Sequence, residues 1–87
     1  MMTNKVLIKL YVPTLGKTYD VFVPVNEIVW KVNKLIVKSV SDLSDGMFPL
    51  NKNYALINVE SGRIYNNNEI IINTDIRNYT KLALIEI

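Results

Sequence analysis

Residues 17–36 read KTYDVFVPVNEIVWKVNKLI, and the spacing of the apolar residues changes within this stretch. Every second residue from Tyr19 to Val23 is apolar, which is typical of a strand with one buried face. From Ile28 onward the apolar residues recur at intervals of three or four, which is typical of an amphipathic helix. Pro24 has no backbone N–H group and therefore fits a strand end or an unpaired edge. The stretch predicts a strand that leads directly into a helix.

A second strand is predicted immediately before this one. Residues 4–12 read NKVLIKLYV, in which every second residue from Val6 to Val12 is apolar and shares one face. The following PTLGK contains Pro13 and Gly16, which favour a turn. We therefore predict an antiparallel hairpin in which both apolar faces contribute to the core.

The predicted helix covers about residues 26–43. Asn26 is a good N-cap because its side-chain oxygen can accept a hydrogen bond from an amide of the first turn, and Glu27 complements the positive end of the helix dipole. Residues 44–46 read SDG, which favours termination of the helix. One stripe of the helix is expected to face the core, and it consists of Ile28, Val32, Leu35, Ile36, Val40 and Leu43.

The second half of the chain predicts short strands and loops. Residues 54–60 form a β-prone run that ends in Ser61-Gly62, a dipeptide suited to a tight turn, so residues 63–65 are expected to pair briefly with this run. The apolar cluster at 70–72, inside an Asn-rich segment, predicts a loop or a short helical turn that packs on the core. Residues 81–87 predict a final strand with Leu82 and Leu84 on one face.

The composition favours one small folded domain, residues 1–87. Of the 87 residues 49% are hydrophobic, which is enough for one core in a chain too short for two. Cysteine is absent, which excludes disulfide bonds and thiolate metal sites and favours a reducing compartment, so we expect a cytoplasmic protein. No run approaches the about 20 apolar residues that cross a bilayer, so membrane insertion is not expected.

The residue types also argue against catalysis. Histidine and cysteine are both absent, which removes the usual nucleophile and base pairs. The acidic residues show no metal-binding or acid–base spacing, and no phosphate-binding or dinucleotide-binding motif is present. Ten basic and eight acidic residues give a net charge of +2, which is too balanced to favour nucleic acid. We therefore expect no enzyme activity, no catalytic residues, no metal, no cofactor and no nucleic-acid partner.

The predicted order of two strands, a helix and two or three further strands resembles the ubiquitin-like β-grasp fold. This is an α+β fold in which a mixed sheet of four or five strands packs on one main helix. Within that superfamily the sequence resembles the YukD/EsaB group, the stand-alone ubiquitin-like proteins of bacterial type VII (ESX-like) secretion systems. The residues that carry the resemblance are Thr18, Tyr19, Asp20, Val23 and Pro24 in the second strand, Ile28, Leu35 and Ile36 in the helix, and Gly62 in the later turn.

The resemblance implies both a sheet arrangement and a kind of activity. It implies that the first and last strands lie parallel at the centre of the sheet. It also implies a non-catalytic cytoplasmic accessory or regulatory protein, with membrane components or the ATPase of the secretion machine as expected partners. Ubiquitin-like modifiers and sulfur carriers act through a C-terminal Gly-Gly, whereas this sequence ends LALIEI. A modifier or sulfur-carrier relative is thus a disfavoured alternative, and a β-grasp adaptor unconnected with secretion is another.

One face of the predicted sheet is a candidate protein-binding surface. Leu15, Ile57, Ala83 and Ile85 would form an apolar patch if that face is uncovered, although ordinary core or isolated exposed residues would explain them equally well. The edge of the second strand, near Pro24, also offers a route to a homodimer through strand pairing.

The helix offers a second candidate surface. Trp30 and Val37 fall outside the predicted apolar stripe, so Trp30 is either an exposed interface anchor or a peripheral core residue under a neighbouring loop. Lys31, Lys34 and Lys38 share one side of the helix. They would suit an acidic partner or phospholipid headgroups, and a solvated helix face explains them as well.

Overall fold

The computed structural model describes residues 4–87, so the first three residues of the predicted domain lie outside it. The elements are strands β1 (Lys5–Val12), β2 (Lys17–Pro24), β3 (Tyr54–Asn58) and β4 (Lys81–Glu86), helix α1 (Val29–Leu43) and a 3₁₀ turn (Ile71–Asn73). The strands form one mixed sheet in the order β2-β1-β4-β3. β1 and β4 pair in parallel at the centre, and the two edge strands pair antiparallel with them. The predicted β-grasp arrangement is confirmed.

The β1–β2 hairpin follows the predicted alternation. Val12 pairs with Lys17 beside the turn, and Gly16 in that turn has a φ of 62°, which glycine adopts without steric cost. One face of the hairpin packs on the core together with residues of β3 and β4. The buried apolar residues of this face and of the core face of β3 and β4 are Ile8, Leu10, Val12, Val21, Val23, Tyr54, Leu56, Leu82 and Leu84.

The helix begins at Val29 instead of Asn26, and no side chain caps its N-terminus. Instead, backbone carbonyls of residues 67 and 69 accept hydrogen bonds from the first amides of the helix. Glu69 accepts a hydrogen bond from the Val29 amide at 2.8 Å, and Asn67 accepts one from the Trp30 amide at 3.3 Å. Because the first amides of a helix lack partners within the helix, these carbonyls determine where α1 starts. The predicted Asn26 cap is therefore wrong.

The buried face of α1 is rotated from the predicted stripe. Leu35 and Leu43 belong to that stripe but are 47% and 58% exposed, whereas Val37, predicted to lie outside it, is buried. Asn33 donates from Nδ2 to the carbonyl of Tyr54 at 2.9 Å, which holds the Val37 side of the helix against β3. The buried residues of the helix are Val29, Val32, Ile36, Val37, Val40 and Ser41.

Irregular segments complete the core. Phe48, in the loop that follows α1, is buried and stacks on Tyr54 with 4.6 Å between ring centroids. The Tyr54 hydroxyl donates to the carbonyl of Pro49 at 2.7 Å, which ties the loop to β3. Two residues of the apolar cluster at 70–72 lie in the 3₁₀ turn, which buries Ile71, so the predicted short helical turn on the core is confirmed.

Candidate functional site

The sheet face opposite α1 carries a row of paired apolar residues. Tyr11 lies opposite Ala83 in the parallel pairing, Ala83 lies opposite Ile57 in the antiparallel pairing, and Ile64 bridges to Ile57 from the segment that returns beside β3. Directly paired residues share a face of the sheet, so these side chains form a continuous line. The next pair along β3 and β4 lies on the same face. We define the sheet-face patch as Tyr11, Ala55, Ile57, Ile64, Ala83 and Ile85.

The structure brings together three of the four residues that the sequence proposed for such a patch. Ile57 and Ile85 are half-buried in it, and Ala83 is buried between its paired neighbours. Leu15 is elsewhere, because it packs half-buried against the hydrophobic core and takes no part in the paired row.

The patch predicted from the sequence did not include Tyr11 and Ile64, the two most exposed large residues of the sheet-face patch. Tyr11 is 43% exposed and Ile64 is 65% exposed. The alternation in β1 places Tyr11 on the outer face, but its contact with Ala83 follows only from the parallel pairing of β1 and β4. The Ile57–Ile64 bridge confirms the predicted return of residues 63–65 beside β3. That predicted pairing would have been enough to place Ile64 next to Ile57.

A polar network behind Ile64 fixes the returning segment in place. Tyr65 is buried, and its hydroxyl donates to the carboxylate of Asp75 and accepts from Nδ2 of Asn58 at 3.1 Å. The Arg63 guanidinium lies 5.0 Å from the Tyr65 ring centroid and 3.7 Å from the Asp75 carboxylate. Burial, followed by the hydrogen bond to Asp75, raises the pKa of Tyr65 to about 12. The network therefore holds Ile64 at the border of the sheet-face patch.

Replacing Tyr65 with Phe is expected to lower the free energy of unfolding at pH 8 by about 1–2 kcal/mol, because it leaves the buried Asn58 amide without this partner. In the wild type the unfolded state loses the Tyr65 proton near pH 10, whereas the folded state keeps it until about pH 12. The protonated Tyr65 hydroxyl thus makes its full contribution to the free energy of unfolding below about pH 10, and this contribution is lost as the pH rises toward 12. Urea unfolding at pH 8, 10 and 11 measures both effects.

Tyr79→Phe is the matched control for this prediction, because Tyr79 is 66% exposed and loses the same hydroxyl. We expect its stability at pH 8 to stay within about 0.5 kcal/mol of the wild type. A Tyr65→Phe variant whose stability falls from pH 10 to 11 in parallel with the wild type would contradict the role of the Tyr65 proton.

The exposed side of α1 carries Trp30 and the predicted lysines. Trp30 is 40% exposed, and the Lys31 and Lys34 ammonium groups lie 5.7 and 5.2 Å from its ring centroid, within cation–π range. Lys38 is exposed farther along the helix. Glu27 precedes the helix and forms no ion pair with Lys31 in residues 4–87. All three lysines are therefore exposed, and the ammonium groups of the first two lie near the Trp30 ring.

A groove of about 690 Å³ lies beside Trp30, between α1 and the loop before β3. On the helix side it is lined by Trp30, Lys34 and Val37, and on the loop side by Leu50 and Lys52. The lining is completed by four asparagines, one tyrosine and one isoleucine, which are Asn33, Asn51, Asn53, Asn67, Tyr54 and Ile87. We call this concavity the Trp30 groove. It combines apolar walls with lysine ammonium groups and side-chain amides.

The outer edge of β2 is unpaired within residues 4–87. The Val25 amide donates to the Asn4 carbonyl at 2.8 Å, which marks these two as a hydrogen-bonded pair of the hairpin. By the alternation of antiparallel pairing, the backbone groups of residues 18, 20 and 22 point outward. Pro24 has no amide to offer there. The predicted pairing edge thus exists and is limited at one end by Pro24.

Two further properties bear on the kind of site. In the described part of the chain, no three side chains of His, Cys, Asp or Glu come together in a way that would hold a metal ion. Among residues 4–87 there is also no helix with both the length and the apolar character needed to cross a membrane.

The central parallel strand pair, the antiparallel edges and the single packed helix define the ubiquitin-like β-grasp fold. The sequence itself matches no protein-family model and no curated protein. Solved structures match well. A chain of a MycP5-free ESX-5 inner membrane complex matches 97% of this chain with a TM-score of 0.78 and 18% identity. This chain spans about a fifth of that one, 21% of its length.

Two other similar structures show how widely the fold is used. The ubiquitin-like domain of Plasmodium falciparum Dsk2 matches 95% of this chain over 99% of its own length, with a TM-score of 0.71 and 17% identity. A chain of the toluene 4-monooxygenase HD complex matches 95% over 99%, with a TM-score of 0.72 and 8% identity. Such likenesses establish the fold, and function has to be argued from the surfaces.

Proposed function

We propose that this chain is a non-catalytic, cytoplasmic accessory or regulatory protein of a type VII (ESX-like) secretion system, and that it acts by binding other proteins. The observation that carries the proposal is the fold match to a chain of the ESX-5 inner membrane complex, with a TM-score of 0.78 over 97% of this chain. The resemblance of β2 and α1 to the YukD/EsaB group is consistent with this proposal.

The sheet-face patch is the surface through which this protein binds the machine. Tyr11 and Ile64 stand out from it, and aromatic and apolar anchors of this kind carry much of the binding energy in protein interfaces. Ala83 and Ile57 lie between Tyr11 and Ile64, because Ala83 pairs with Tyr11 on one side and with Ile57 on the other. A membrane component or the ATPase of the secretion machine is the expected partner.

Replacing Ile64 with Lys is expected to reduce recovery of secretion-machine components at least about tenfold, because a charge would enter the apolar contact. The measurement is affinity purification of the tagged protein from a bacterium that has a type VII system, in a detergent that preserves the membrane complex. Ile72→Lys is the matched control. Ile72 is also exposed, lies in the 3₁₀ turn outside the sheet-face patch, and should tolerate the same change.

Two results would count against the proposal. One is recovery of no secretion component by the wild type under conditions that keep the machine assembled. The other is an equal loss of recovered secretion components in the Ile64→Lys and Ile72→Lys variants. That result would mean that an added positive charge anywhere on the surface reduces recovery. The neighbouring genes provide a further test: genes for WXG-type substrates and an FtsK-like ATPase favour secretion, and a gene for an adenylating enzyme favours the modifier alternative.

A further inference from the structure

We infer that the Trp30 groove is a second binding site, separate from the sheet-face patch, and that its ligand is a short acidic peptide segment with one apolar anchor residue. The inference goes beyond the proposed function, because it concerns another surface and does not require a secretion system.

The groove has the volume of a ligand site, and hydrogen bonds tie parts of both walls to the rest of the protein. Its volume of about 690 Å³ lies within the range of about 300–1,000 Å³ typical of ligand pockets. Asn33 joins the helix side to the Tyr54 carbonyl at 2.9 Å, and the Tyr54 hydroxyl joins the loop side to Pro49 at 2.7 Å. The Ile87 amide donates to the Asn53 carbonyl at 2.9 Å at the other end. These bonds hold the two ends of the loop wall, at Pro49 and Asn53, in place beside the helix.

The charge of the groove selects the ligand. Lys34 lines one wall and Lys52 the other, and no Asp or Glu contributes to the lining among the described residues. Lys34 forms no ion pair within residues 4–87, and Lys52 has only an exposed contact of 3.9 Å with Glu86, which contributes little. The two ammonium groups on opposite walls are complementary to carboxylates that flank a central residue.

The remaining lining explains the apolar anchor and the peptide backbone. Trp30 and Leu50 are both exposed large apolar side chains and face the same concavity, so an apolar side chain between them would remove both from water. Three asparagines, at positions 51, 53 and 67, bring side-chain amides that can each donate to and accept from a peptide backbone. An extended peptide can place its side chains against both walls at once.

The test is a selection of random heptapeptides displayed on phage against the immobilised full chain. Enriched peptides are expected to contain at least two Asp or Glu residues beside one apolar residue. A synthetic, Trp-free consensus peptide should then change the fluorescence of Trp30, which is the one tryptophan of the chain, and should bind more weakly as the salt concentration rises.

Charge reversal at the groove provides the decisive comparison. Lys34→Glu and Lys52→Glu, one on each wall, are each expected to weaken binding of the consensus peptide by about tenfold. Lys38→Glu makes the same change on the same helix outside the groove and should alter binding less than about threefold. Circular dichroism establishes that each variant is folded.

Three outcomes would overturn the inference. The first is a selection that enriches no acidic, apolar-anchored sequence. The second is a consensus peptide whose affinity is the same for the Lys34→Glu, Lys52→Glu and Lys38→Glu variants. The third is that ATP or phosphatidylglycerol vesicles change Trp30 fluorescence in a Lys34-dependent manner while the selected peptides do not. Because none of these measurements uses the secretion machine, failure here leaves the proposed function to its own test.

Discussion

Replacing Phe48 with alanine is expected to lower the free energy of unfolding by about 3–5 kcal/mol. Phe48 is only 1% exposed and stacks on Tyr54 with 4.6 Å between ring centroids, so its removal opens a cavity at the junction of the loop and β3. Small domains have a total stability of about 5–15 kcal/mol, so this is a large share. Urea denaturation followed by circular dichroism gives the value.

The neighbouring residue Met47 is the control for this prediction. Met47 is 76% exposed, and Met47→Ala should change the stability by no more than about 0.5 kcal/mol. Similar losses for the two variants would mean that the loop does not insert Phe48 into the core. The contrast matters for the Trp30 groove, because Phe48 anchors the loop that forms one of its walls.

Replacing Ile36 with alanine is expected to cost about 2–5 kcal/mol of stability. Ile36 is fully buried, at 0% exposure, on the face of α1 that packs on the sheet. Its side chain fills space that alanine leaves empty, and the gain in helix propensity from alanine is less than about 1 kcal/mol. Thermal and urea unfolding of the same samples measure the loss.

Leu35→Ala tests the rotation of the helix directly. The sequence pattern placed Leu35 and Ile36 in the same buried stripe, but Leu35 is 47% exposed. We expect its replacement to change stability by less than about 1 kcal/mol, because part of the lost contact is offset by the helix propensity of alanine. Losses of similar size for Leu35→Ala and Ile36→Ala would favour the stripe predicted from the sequence, which contains both residues.

The sequence predicted the strands well because their signal is local. Alternation of apolar residues fixed the core face of β1 and β2, and Pro24 and Gly16 marked the end of β2 and the turn before it. The helix was predicted less well at its start. Its first amides bond to the carbonyls of Asn67 and Glu69, and no pattern near Asn26 contains information about that contact.

The candidate surfaces were predicted only in part, because local alternation identifies some of their residues and long-range pairing brings in the others. Ile57 and Ala83 were found because strand alternation places them opposite the core, whereas Tyr11 joins them only through pairing of the first and last strands. Trp30 was identified as unusual by its place on the helical wheel. The Trp30 groove itself was not predicted, since its second wall comes from the irregular loop that contains Leu50.

The parallel pairing of β1 with β4 also has a consequence for how the protein is made. β4 lies between β1 and β3, so until residues 81–86 have left the ribosome β1 is paired on one side only, with β2, and β3 has no neighbouring strand of the sheet. Before that moment the nascent hairpin has an open hydrogen-bonding edge, which can associate with other chains. Completion of the sheet therefore waits for the synthesis of β4, and shielding the open edge of β1 until then would prevent such association.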